Sequence, residues 1–311
     1  MSTSAEKDVL TVGWLARVTQ NPVALKELRS RMRGRRAFVV LGIYLTVMSG
    51  FIWLVYLSYY QAAQSAFGPE ASQAGKTVFA AVLGIQAFLI VFVGPAFTAG
   101  AISGERERQT YDLLRTTLLT AGSLVRGKLI AALGYVFLLV FAAVPLMSLA
   151  FLLGGVAWEE LLISQAIVGV AAVAYAMVGL YASALMRSTL AASVTTYAMA
   201  IFLIIGLPVA VGVGLAFVGI ASQSGGSAPS WLEPYSLAAA WYLIPTNLIA
   251  TLIASEIVLI QESSLWFFTD IINGYRIVYL SPWFLFIALY SLLSILLYWG
   301  TVRRVRRIPR R

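Results

Sequence analysis

The sequence predicts an all-α polytopic membrane protein with six transmembrane helices. Three observations predict it. The 311-residue chain is 60% hydrophobic and only 11% charged, where a soluble domain carries about 25% charged residues, so most of it must face lipid or its own core. Six apolar runs are long enough to cross a bilayer, which takes about 20 helical residues. The cations gather in the short gaps between those runs, which removes the nucleic-acid reading that a net charge of +9 invites.

The first 36 residues are polar and basic and lack a short apolar core, so no cleavable signal peptide is expected. They read as a cytoplasmic N-terminus, with residues 21–36 an amphipathic interfacial helix. Asn21 can cap that helix and Pro22 suits its first turn. Leu25, Leu28 and Met32 fall on one face, and Lys26, Arg29, Arg33 and Arg36 follow the other. Such a helix lies along the inner membrane surface. Two roles stay open for it: fixing topology on anionic lipid, or meeting a protein partner as well.

The apolar region, residues 37–302, holds spans at about 37–60, 77–101, 129–154, 161–186, 193–221 and 282–302, none of which contains Lys, Arg, Asp or Glu. With both ends inside, 20 of the 22 Lys/Arg residues are cytoplasmic, including the basic tail at 303–311. Only Lys76 and Arg276 fall outside, among seven carboxylates. The opposite orientation would translocate nearly every cation, so the positive-inside rule selects this one in an inner or plasma membrane.

The loop at 102–128, between spans two and three, opens with a run of alternating sign, Glu105-Arg106-Glu107-Arg108. After Thr110, Tyr111, Leu114 and Leu118 line one helical face, while Asp112 and Arg115 pair on another. A short helix with an apolar ridge suits a groove on another protein; packing on its own membrane domain is equally compatible. Between spans five and six lies an external segment, 222–281. Its Gly/Ser/Pro-rich start at 222–230 reads as a flexible lead-in. Residues 236–260 read as a re-entrant or surface-lying helix broken near Pro245 and Asn247. One extra crossing there would put the basic tail outside, and non-helical backbone at membrane depth is tolerated only against protein or water.

Several chemistries are excluded. With no Cys and no His, metal sites and nucleophiles built on them are ruled out. Gly75-Lys76-Thr77 lacks the earlier glycine of a phosphate loop, since Glu70 stands there; it reads as an ordinary loop at the outer interface. Glu159–Glu160 reads as a solvated hairpin beside the interfacial anchor Trp158. Spans without ionisable groups argue against an ion-coupled carrier, because such pathways usually keep them. Gln86, Gln165, Thr195 and Thr196 more often pack helix against helix.

Three stretches carry a resemblance. They are Asn21-Pro22-Val23 through Lys26-Glu27-Leu28-Arg29 to Arg36; Ala99-Gly100-Ala101-Ile102-Ser103-Gly104-Glu105-Arg106-Glu107-Arg108 with Thr110, Thr116-Thr117 and Gly127-Lys128; and Gly179 through Leu185 with Arg187 and Thr189. In these the chain resembles type-2 ABC-transporter permeases, the membrane-spanning subunits of ATP-binding-cassette exporters. It departs from the family at Gln109, where Gly is common, and at Leu118, near a common Pro.

The resemblance implies a permease subunit with no catalysis of its own. ATP and Mg would be bound by a partner, a cytosolic ABC ATPase, so no cofactor belongs to this chain. The coupling helix would span Thr110–Thr120, making Glu105, Arg106, Glu107, Arg108, Thr110, Tyr111, Leu114 and Leu118 the ATPase-coupling interface. The interfacial helix would contribute Asn21, Pro22, Lys26, Glu27, Arg29 and Arg33, and Arg187 and Thr189 a second cytoplasmic contact. The family also implies a second permease copy or paralogue as a dimer partner. The rival expectation is a non-transporting membrane anchor or assembly protein that recruits a cytosolic partner.

Overall fold

A computed structural model describes residues 22–32, 35–63, 71–110, 120–224, 232–262, 265–272 and 275–307. A short helix, α1 (Pro22–Met32), precedes the first span, α2 (Arg35–Ala63). The second span is α3 (Ala71–Ala99), followed by a one-turn helix, α4 (Ser103–Glu107). The third span is divided into α5 (Ala121–Ala142) and α6 (Val144–Leu152), because Pro145 brings no N–H to the helical ladder. The fourth is α7 (Trp158–Leu185). The fifth runs as α8 (Thr189–Ile201), a π-helical turn at Phe202–Gly206, and α9 (Leu207–Ser224). The sixth is α12 (Pro282–Arg307), after α10 (Leu232–Leu243), a 3₁₀ turn at Ile244–Thr246, α11 (Leu248–Glu262) and strands β1 (Phe267–Ile272) and β2 (Tyr275–Leu280). Six helical runs are thus long and apolar enough to span a membrane, as the apolar runs predict.

The second and fourth spans form the centre. Over half of each is buried, 56%, against 11% for the first span and 6% for the fifth. Small residues let α3 and α7 approach: a Cβ on Gly179 would collide with Thr98 Oγ1 and the Pro95 carbonyl. The core of Phe79, Ile90, Leu139, Met147, Ile167 and Tyr175 fills the space around them. Within it, Gln165 Nε2 donates to Gln86 Oε1 at 3.1 Å, and Gln86 Nε2 donates to the Val140 carbonyl at 3.3 Å. These amides tie spans two, three and four together, as helix-packing polar groups do.

The segment between spans five and six departs from an all-α fold. β1 and β2 pair antiparallel with Phe267 opposite Leu280 and Ile272 opposite Tyr275. The sequence signal is a run of β-branched and aromatic residues on each side of Asn273-Gly274, a strong hairpin signature. One face of the hairpin packs Phe268 and Tyr279 against Trp241. The expected break near Pro245 and Asn247 is present. The Tyr290 hydroxyl, two turns into α12, donates to the Thr246 carbonyl at 2.8 Å. The chain therefore descends beside the sixth span by about 12 Å, at 1.5 Å per helical residue, turns, and returns along α11. The lead-in expected at 222–230 starts inside α9, which continues to Ser224; the remainder lies outside the described residues.

Two local expectations are corrected. Gly75-Lys76-Thr77 is not loop but the second turn of α3. Gly75 is needed there because a side chain would run into the Gly154 and Ala150 carbonyls at the end of the third span. Trp158 is exposed, but Glu160 turns inward and is only 9% exposed; the pair is not a solvated hairpin.

Candidate functional site

At the end of the bundle where the cations gather, four segments meet. α1 packs along α5, with Ala24 buried and Leu28 over Gly134. Leu25 is exposed. Beneath α1, Lys128 is almost fully buried, 2% exposed, about two turns into α5. Its Nζ donates to Glu27 Oε1 at 2.9 Å and to Glu105 Oε1 at 2.6 Å. One cation thus joins α1, the loop after the second span, and the third span. The second oxygens of both glutamates are buried without a hydrogen-bond partner among the described residues. Removing one member of such a buried pair is far more damaging than its net contribution suggests, because the other charge is left unpaired.

The alternating charges of 105–108 point to different elements. Arg106 reaches the C-terminus of α7, where Nη1 donates to the Met186 carbonyl at 2.9 Å and Nη2 to the Ala184 carbonyl at 2.8 Å. A guanidinium suits that end of a helix, with its unpaired carbonyls and negative dipole end. Glu107 sits at the opposite kind of terminus. Its Oε1 accepts from the Thr189 N–H and its Oε2 from the Thr189 hydroxyl, both at 2.8 Å, in the first turn of α8. A carboxylate there meets free N–H groups and the positive end of the dipole. Ser183 Oγ completes the seam by accepting from the Ile102 and Ser103 N–H groups at 2.9 and 3.0 Å.

The loop helix then ends in a Schellman arrangement. The Thr110 N–H donates to the Glu105 carbonyl and the Gln109 N–H to the Arg106 carbonyl, 3.0 and 3.1 Å. Gln109 takes the left-handed conformation, φ 56°, that Gly usually supplies. The departure from the family pattern at Gln109 therefore leaves this turn in place. Arg108, Gln109 and Thr110 are exposed as the chain leaves the bundle, and Arg108 and Thr110 border, with Lys26, Glu27, Glu107 and Thr189, an open cavity of about 750 Å³.

The model of the ABC-2 family of transporter proteins matches residues 21–307. The chain belongs to the ABC-2 transporter family. No curated protein matches it. As an ABC-2 permease it is a multi-pass membrane component of transport and not itself the catalyst.

The structure brings Glu27, Lys26, Glu105, Arg106, Glu107, Arg108, Thr110 and Thr189 of this permease to one corner. Arg29 is exposed on α1, and Arg187 lies in the turn between α7 and α8 without an ion pair among the described residues. Asn21, Arg33, Tyr111, Leu114 and Leu118 lie outside the described residues, as does the coupling helix expected between Thr110 and Thr120. Sequence reasoning did not single out Lys128 or Ser183 as organising residues, although both lie in the stretches that carry the family resemblance. A lysine at the edge of an apolar run looks like one more topology cation until its burial is known.

Proposed function

We propose that this chain is the permease subunit of an ATP-driven exporter, forming the substrate pathway and coupling it to a separate cytosolic ATPase. The observation that supports this most is the corner around Lys128. It fastens the charged loop to α1, to the third span, and through Arg106 and Glu107 to the junction of the fourth and fifth spans. A push on the loop beyond Thr110 would be carried into four membrane elements, since each link is a charged hydrogen bond of the stronger kind. In this reading the corner lies in the cytoplasm of a cell with an inner or plasma membrane. Residues 110–120 meet the ATPase, which holds ATP and Mg. Lys26 and Arg29 face the headgroups of membrane lipids, and a second permease copy or paralogue covers part of the exposed apolar faces of the first and fifth spans.

Coexpression with a cassette ATPase and reconstitution into vesicles tests it. Replacing Glu105 and Glu107 together by Lys is expected to abolish transport-coupled ATP hydrolysis, with the chain still inserted in the membrane. Unchanged coupling in that variant, or a purified partner lacking a nucleotide site, would overturn the reading and favour an anchor.

A further inference from the structure

At the opposite end of the bundle, a small cavity of about 10 Å³ lies between α3, α7 and α11. Its walls are apolar except for Glu160, Ser164, Ser255 and Glu256. A volume of this order accommodates about one water-sized occupant. Two of its polar groups are aimed inward without a partner among the described residues: Glu160 Oε2 and Ser255 Oγ. Both residues are at least nine-tenths buried, at 9% and 3% exposure. Ser164 Oγ donates to the Leu161 carbonyl, which leaves its lone pairs available.

Charge is out of balance there. Glu160 and Glu256 repel each other across the cavity, and Lys76 of α3 acts on both. Glu159, beside Glu160, adds a further negative charge. Among the described residues Lys76 makes no ion pair with either carboxylate. Burying like charges in an apolar wall is unfavourable unless a positive charge joins them. The four polar lining groups offer at most six oxygens, and a cavity of this size leaves no room for the water ligands that magnesium keeps or that would complete a calcium shell.

We propose that this pocket binds one small monovalent cation between Glu160 and Glu256, with Ser255 as a further oxygen ligand, clamping the returning helix α11 onto the second and fourth spans. The positive charge has two sources, an alkali ion of sodium size or a proton that one of the two carboxylates takes up. The purified full chain in detergent distinguishes them by its thermal unfolding midpoint. Sodium chloride, compared with choline chloride at equal ionic strength, is expected to raise the midpoint saturably. Glu256→Gln and Glu160→Gln should each abolish that rise, and Ser255→Ala should raise the half-maximal sodium concentration by about tenfold, the loss of one charge-dipole contact of about 1.4 kcal/mol. A midpoint that instead rises on acidification in choline chloride, and no longer does so in Glu256→Gln, assigns the charge to a proton on the carboxylate pair. Equilibrium binding of radioactive sodium to the wild-type chain gives a reading independent of variant folding. A wild-type midpoint indifferent to both sodium and acid, or a response retained in both glutamine variants, would overturn the proposal.

Discussion

Gln109 carries a local cost that its neighbours make worthwhile. A non-glycine residue in the left-handed region is disfavoured by about 1–2 kcal/mol, yet here two backbone hydrogen bonds close the turn around it. Gln109→Gly should remove the strain while giving the unfolded chain more freedom, effects that partly cancel. The expected net result is a stabilisation of up to about 1 kcal/mol, read as a higher unfolding midpoint in detergent. A lowered midpoint would mean that the Gln109 side chain contributes a contact of its own. Lys128 teaches a related lesson. Its identity is plain in the sequence, but its role depends on two carboxylates brought from 101 and 23 residues away.

Helices α9 and α11 are joined by a side chain that one proline makes necessary. Pro208, just after the π-helical turn, has no N–H to give to the Ile204 carbonyl four residues back. That carbonyl instead accepts from Asn247 Nδ2 at 2.7 Å. The same Asn247 caps α11, its Oδ1 accepting from the Ala250 N–H at 2.9 Å. Asn247→Ala should therefore lose both contacts and cost about 1–3 kcal/mol, measured as a lowered unfolding midpoint. Asn247→Asp keeps the capping oxygen but cannot donate to Ile204, so it should fall between the two. If alanine and aspartate behave alike, the bridge to the fifth span rather than the cap carries the effect. The helix break at Pro245 and Asn247 was readable from residue types. The bridge was not, because nothing local tells Asn247 which orphaned carbonyl it will meet.

For the whole molecule, the distribution of charge defines two unlike ends. One gathers Lys128, Arg106 and the basic residues of α12; the other presents the aromatic hairpin and the Glu160–Glu256 pocket. If the first end is cytoplasmic, single cysteines should report it, and the chain's lack of native cysteine makes the experiment clean. Gln109→Cys should react with a membrane-impermeant maleimide only after permeabilisation. Trp266→Cys, at an exposed position beside the hairpin, should react in intact cells. The reverse pattern would invert the topology and remove the cytosolic coupling role from the loop at 103–110.

The sequence by itself determined the six apolar spans, because lipid exposure demands long apolar helices; the few charges left between them imply a sidedness that the labelling experiment tests. It also carried the family likeness in the stretches around Glu27, Glu105 and Thr189. The all-α expectation passed over the strands 267–272 and 275–280, although Asn273-Gly274 between them is a hairpin signal, because so short a pair leaves little mark on hydropathy. Only the tertiary structure decided that Lys128 is buried between two glutamates, that Glu160 turns inward toward Glu256, and that Gly75 and Gly179 mark close helix contacts. These are meetings of residues far apart in the chain, and burial, unlike hydropathy, belongs to the packed bundle rather than to any single segment of it.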